Sequence, residues 1–209
     1  MNKTDLLKVK YAARYNDYLV AIAENLESHI KEIIGSYPHI DRICARAKTV
    51  ERFCNKAEKK ESGKAKYSDP LNQIQDQLAA RIITFYLKDI DKISKIVEKY
   101  YRPIERQNII PDSEREFGYQ GKHYIMFVPD EILPKAQKGS YPKFFELQIK
   151  TLFQHAWAEA EHDFEYKPSY NLKPDEKRKI AFTAAQAWGA DRIFEELTSS
   201  TVKKKKRKR

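Results

Sequence analysis

The chain has 209 residues, enough for one domain with a sizeable core or one domain with a helical arm. Only six are glycine, and there is neither a G-x-x-x-x-G-K-[ST] nor a G-x-G-x-x-G stretch, so glycine-rich phosphate loops are excluded and any bound phosphate must be held by side chains. The formal charge is +10, but seven of those charges lie in Lys203–Arg209, and removing them leaves a mildly basic body at +3.

So dense a run of like charge repels itself, and residues 201–209 read as a disordered tail, either solubilising or attracted to RNA, DNA or acidic surfaces. Cys44 and Cys54 belong to no disulfide framework and read as reduced thiols. The N-terminus has no apolar leader and nothing approaches a membrane span, so a soluble, cytoplasmic protein is expected.

From Thr4 to Ile34 apolar residues recur at three- and four-residue spacing: Leu6, Val9, Tyr15, Leu19, Ile22, Leu26, Ile30 and Ile33. This predicts one long helix ended by Gly35 and Pro38, packed on the core or used for self-association; residues 1–38 form an N-terminal arm. Ile40, Ile43 and Ala45 suggest a short strand, and Thr49 an N-cap for a helix from Val50 to about Glu61. Arg46 and Lys48 end the strand, and Arg52, Lys56 and Lys59 share a face of the helix. A strand end and a helix start presenting cations together form a side-chain phosphate clamp; an ordinary basic helix is the plainer alternative.

Glu61 to Pro70 reads as a polar linker, Leu71 to Gln77 as a helical turn, and LAARIITFYL as a buried strand. Asp76 and Arg81 bracket the entry of that strand. A carboxylate at a strand edge suits Mg²⁺, and an arginine in an apolar strand is costly unless it meets an anion or a structural partner. Asp89 is expected to cap a helix running to about Tyr100. After a strand near Arg102–Ile110, Gly118 and Gly121 flank Tyr119, which leaves the aromatic ring free to lie over a base. Tyr124, Met126 and Val128 alternate into the next strand.

The densest chemistry lies in FFELQIKTLFQHAWAEAEHDFEYK, from Phe144 to Lys167. Phe145, Leu147 and Ile149 take one face of a strand; Glu146, Gln148 and Lys150 take the other. The period then changes, with Phe153, Trp157, Ala160 and Phe164 on one helix face alongside His155, Glu159, Glu161 and His162. A last helix is expected from about Asp175 to Leu197, with Pro174 at its first turn and Gly189 a candidate kink.

This stretch resembles the E-[IL]-Q-[IL]-[RK]-T … W-x-x-x-E-H-x-x-x-Y-K segment of the RelA/SpoT-type alarmone synthetases, which move pyrophosphate from ATP to the 3′-hydroxyl of a guanosine nucleotide. The upstream motifs stand in family order. Arg46, Lys48 and Lys56 match R-x-K-x-x-x-S-x-x-x-K, with Arg52 where the family usually has serine. Asp76 and Arg81 match D-x-x-G-x-R, with Ala79 in place of glycine. Tyr119 and His123 match G-Y-x-[SG]-x-H.

The resemblance covers roughly residues 40–170 and implies a stand-alone small synthetase. It implies an α+β fold with a nucleotidyltransferase-like synthetase core over 39–172, a mixed sheet of about five strands flanked by helices, then a C-terminal helix over 173–200. It also implies roles. Asp76 and Glu146 hold Mg²⁺, and Glu146 also orients or deprotonates the acceptor hydroxyl. Arg46, Lys48, Lys56 and Arg81 bind ATP. Tyr119, His123, Gln148 and His155 bind GDP or GTP. Two other readings stay open: a toxin of the same fold that pyrophosphorylates the 3′ end of tRNA, with an antitoxin as partner, and a non-enzymatic nucleic-acid-binding protein. Homo-oligomers are a further expectation.

Overall fold

The computed structural model describes residues 3–134, 141–165 and 172–207. Tyr166 and Lys167, the end of the last motif, lie outside the described residues.

Helix α1 (Lys3–Arg14) and helix α2 (Val20–Ile34) form one rod joined by a π-helical segment, Tyr15–Leu19. That segment corrects the expected apolar face. A π turn inserts one residue and rotates everything before it about the axis. Leu6 and Val9 therefore point to solvent, and Tyr11 goes fully into the core with Leu19, Ile22, Leu26 and Ile30. The rod packs on the body: α2 lies against β1 (Ile40–Ala47) and β4 (Leu78–Thr84).

Helix α3 (Val50–Ala57) starts at Thr49, whose hydroxyl accepts the Arg52 N–H at 3.4 Å, but it stops short of Glu61. A tight hairpin comes next, β2 (Lys60–Glu61) with β3 (Lys64–Ala65), in the stretch expected to be linker. Gly63, at φ +79°, supplies its left-handed turn. Helix α4 (Pro70–Gln73) and a 3₁₀ turn, Gln75–Gln77, lead into β4. Helix α5 (Leu87–Tyr100) is not capped by Asp89 as expected. Its N-cap is Tyr86, and the buried Asp89 carboxylate instead accepts from the Tyr37 hydroxyl at 3.0 Å and meets His39 Nδ1 at 3.1 Å.

Strands β5 (Pro103–Ile109), β6 (Gly121–Phe127) and β7 (Phe144–Thr151) complete a five-stranded sheet in the order β1-β4-β7-β6-β5. The pairing of β4 with β7 is parallel and the other pairings are antiparallel, so the sheet is mixed, as the resemblance implies. One face, carrying Leu78, Ala80, Ile82, Phe145, Leu147 and Ile149, is sealed in the core. Helix α6 (Leu152–Glu165) packs on β7 and β4, and helix α7 (Pro174–Arg207) packs on α6 and reaches α5.

Helix α7 runs through Gly189 and on past Leu197 into the basic run expected to be disordered. Lysine and arginine are good helix formers, and cations suit the negative end of a helix.

Candidate functional site

The register of the sheet assembles the site on the face opposite the core. Across β1, β4 and β7, Arg46, Ala79 and Glu146 fall in one row. Arg81, Gln148 and His123 fall in the next, across β4, β7 and β6. Residues two apart on a strand share a face, so both rows point the same way.

Cations ring one end of this face. Lys48 and Lys56 both place Nζ 2.9 Å from Asp76 Oδ2. The other oxygen, Oδ1, is buried and has no hydrogen-bond partner. The segment is braced from behind. Tyr11 donates its hydroxyl to the Lys48 carbonyl at 2.8 Å, and the Lys48 N–H bonds the Gln77 carbonyl at 2.8 Å. Arg14 donates to the Leu71 carbonyl at 2.7 Å and to Gln77 Oε1 at 3.1 Å. The Gln77 amide donates back to Leu71 and Ile74. Lys48 and Asp76 are thus fixed to one another through main-chain bonds, and the arm supplies part of the scaffold.

Asp76 and Glu146 line one cleft with Arg46, Lys48, Arg52, Arg81 and Gln148, an open hollow of about 420 Å³. Arg52, the departure from the family serine, faces this cleft. Partial desolvation first, and then Arg81 and Arg52 beside it, push the Arg46 guanidinium below its ordinary range, against the pull of Glu159. A larger hollow of about 1160 Å³ between α6 and α7 is lined mainly by apolar side chains such as Phe153, Trp157 and Phe164, and holds none of these groups.

The other end is a chain of side chains. Glu146 Oε1 meets His123 Nδ1 at 2.9 Å and accepts from Gln148 Nε2 at 3.1 Å. Burial pushes the Glu146 carboxyl up, but the hydrogen bonds from His123 and Gln148 and the charges of His123 and Lys56 outweigh it, leaving it near 2. An ionised carboxylate only accepts, so the His123 Nδ1–H donates to it, and Nε2 lies 2.6 Å from the Tyr119 hydroxyl. Tyr119 is therefore not a free loop aromatic. Its ring packs against Trp157, Ala158 and Ala184, and its phenol is pushed up by burial and by Glu146.

Arg81 donates to Glu159 Oε1 at 2.6 Å. His155 stands on the same helix, its buried Nδ1 without a hydrogen bond and 3.9 Å from Glu159. Burial pushes the His155 ring down, against the pull of Glu159. The structure thus joins Tyr119, His123, Glu146 and Gln148, and sets His155 beside Glu159. Glu159 had no role in the sequence reading, although it stands four residues beyond His155 on the helix. Lys150 was also unassigned, although it continues the polar phase of Glu146 and Gln148.

The donor set fits a magnesium ion shared with nucleotide phosphates. Such an ion takes one or two protein carboxylates, and here an ionised Glu146 and an orphaned Asp76 oxygen line one cleft. Among the described residues no group of three or more His, Cys, Asp or Glu forms an all-protein cage.

Residues 45–171 match the family model described as the region found in RelA / SpoT proteins. GTP pyrophosphokinase YjbM of Bacillus subtilis is 28% identical over 186 residues, which is 84% of this chain and 81% of that protein. The crystal structure of small alarmone synthetase 1 from Bacillus subtilis superposes with a TM-score of 0.74 at 23% identity, covering 92% of this chain and 96% of that one. The same enzyme bound to its product pppGpp gives 0.71 at 21% identity, covering 91% and 96%.

Proposed function

The chain belongs to the RelA/SpoT family, and on that premise we propose that it is an ATP-dependent pyrophosphokinase acting on GDP or GTP to make (p)ppGpp. The observation that carries the reading is the polar cleft in which the Asp76 and Glu146 carboxylates stand together among Arg46, Lys48, Arg52 and Arg81.

Transfer of a pyrophosphoryl group demands positioning and neutralisation of charge more than covalent chemistry. Arg46, Lys48, Arg52, Lys56 and Arg81 receive the ATP phosphates and the charge that builds on them. Asp76 and Glu146 would hold Mg²⁺, which would supply charge neutralisation for the phosphates. Glu146, ionised and held by His123 and Gln148, is placed to orient or deprotonate the acceptor 3′-hydroxyl. Tyr119 offers the stacking surface for the acceptor base, His123 holds the Tyr119 hydroxyl, and Gln148 reaches the ribose or phosphates of the acceptor. Arg81 must leave Glu159 or share it when ATP arrives. Among the described residues no helix is long and apolar enough to cross a membrane.

The test is incubation with γ-labelled ATP and GDP, GTP or deacylated tRNA. Label on GDP or GTP, with AMP released, is the expected result. Label on tRNA alone would instead assign the chain to the tRNA-modifying kind, whose polyanionic acceptor suits the cations of Lys203–Arg209. No transfer to any of the three overturns the reading.

A further inference from the structure

Among the described residues Lys150 is the only lysine or arginine that is buried, at 2% exposure. A buried ammonium is costly, and its surroundings show what it serves. Its Nζ lies over the Tyr119 ring, 4.8 Å from the centroid. The same ring is held at its hydroxyl by His123 and along its flank by Trp157, Ala158 and Ala184. Gly121 makes room for it, since a Cβ there would come within 2.9 Å of the phenol oxygen.

We infer that Lys150 is a positioning residue for the acceptor: by cation–π contact with Tyr119 it fixes the ring plane on which the acceptor base stacks. The inference rests on the reading of Tyr119 as the acceptor platform and adds the residue that sets it. A ring fixed before the base arrives loses less freedom on binding. Desolvation strengthens the attraction between ammonium and ring, which gives the burial of Lys150 a purpose.

Burial first, then the charge of Arg81, with Arg46 adding and Glu159 and Glu146 opposing, holds the Lys150 ammonium down at about 8. The groups around it are Arg46 on β1, Arg81 on β4, Glu146 on β7, His155 and Glu159 on α6, and Tyr119. Above about pH 8 Lys150 loses its charge, so the wild-type KM for GDP should climb there.

Steady-state kinetics of Lys150→Met and Lys150→Arg provide the test, with thermal melts confirming that both fold. Lys150→Met is expected to raise the GDP KM about tenfold, with a smaller change in kcat and none in the ATP KM. Lys150→Arg, which keeps a cation over the ring at every pH, is expected to restore most of the affinity and to abolish the rise above pH 8. In a Tyr119→Leu background, Lys150→Met should add nothing, because the two act as one unit. Fluorotyrosine placed at position 119 should show a fluorine resonance that moves between wild type and Lys150→Met with no nucleotide present.

An unchanged or lower GDP KM, an equal rise in the ATP KM, or additive losses in the double variant each overturns the inference. An unmoved resonance overturns the coupling whatever the acceptor. Failure of the function itself appears elsewhere, as wild-type protein that labels neither nucleotide nor tRNA.

Discussion

In the cation-rich half of the cleft side chains from behind bond the main chain of Lys48 and of the Asp76 turn, whereas in the half around Tyr119 side chains that rise from the sheet grip one another. Lys48 and the Asp76 turn are pinned by bonds to backbone carbonyls from Tyr11, Arg14 and Gln77, and the Tyr11 ring stacks on Phe53 with centroids 3.6 Å apart. His123, Glu146, Gln148 and Lys150 stand on paired strands, but their side chains and that of Tyr119 are set by contacts with one another. A site for a polyphosphate can be a fixed basket of charge. A site that must align a hydroxyl, a base and a carboxylate is coupled, and damage to one member reaches the others.

The largest expected effect comes from Glu146→Gln. The amide is nearly isosteric but is neither an anionic ligand nor a base, so kcat should fall by roughly 10³-fold in a variant that still folds, with a melting temperature at neutral pH somewhat below that of the wild type. Because the Glu146 carboxyl lies near 2 against its ordinary 4.5, it contributes stability above about pH 4.5 that is lost toward pH 2. It therefore stays ionised from pH 5 to 8, and an acid limb in the rate profile of that window belongs to another group. Near-wild-type turnover in a folded variant would remove Glu146 from the chemistry.

Tyr119→Ala should weaken acceptor binding by about 1–3 kcal/mol and leave ATP affinity alone. Calorimetric titration with each nucleotide separates the two; equal losses would break the division into halves.

Asp191→Asn asks whether α7 supports the coupled half. Thr151, next to Lys150, donates to Asp191 Oδ2 at 2.7 Å, and Oδ1 is buried without a partner. Burial, partly offset by Thr151 and Arg192, pushes the carboxyl up from 3.8 to about 6. A raised carboxyl favours the fold while protonated, and that advantage is lost as pH rises from about 4 to about 6. Above that window Asp191→Asn should therefore be the more stable protein, by on the order of 1–3 kcal/mol, with no such advantage at pH 4. Melting curves at the two pH values check this.

The smallest effect is expected from Tyr11→Phe. It removes only the bond to the Lys48 carbonyl, worth about 1 kcal/mol of stability. The ATP KM should rise a few-fold and the GDP KM should stay put, which is the converse of Tyr119→Ala. A rise in the GDP KM would show that the main-chain brace extends into the coupled half.

The two halves were also unequally legible in the sequence. Arg46, Lys48 and Lys56 stand within one strand–turn–helix, so spacing alone put them together, and Thr49 caps that helix as read. The alternation of Phe145, Leu147 and Ile149 against Glu146, Gln148 and Lys150 likewise gave β7 its two faces. The rod was legible as a helix but not in its facing, because the π segment at Tyr15–Leu19 leaves no mark in apolar spacing. Asp89 had the right offset for a cap, but Tyr37 and His39, about fifty residues upstream, claimed its carboxylate.

The sequence by itself determined the features that near neighbours control: where strands and helices lie, which side of β7 is polar, and which residue types carry charge. Period and capping act over a turn or a strand, so they are written locally. The tertiary structure decided the features that near neighbours cannot control. It joined Arg81 to Glu159, tied Tyr119 to His123 and to Lys150, and turned the N-terminal arm into the brace for Lys48. Each of these pairs two elements whose approach depends on sheet register and on how helices settle over it, and only the folded chain fixes both.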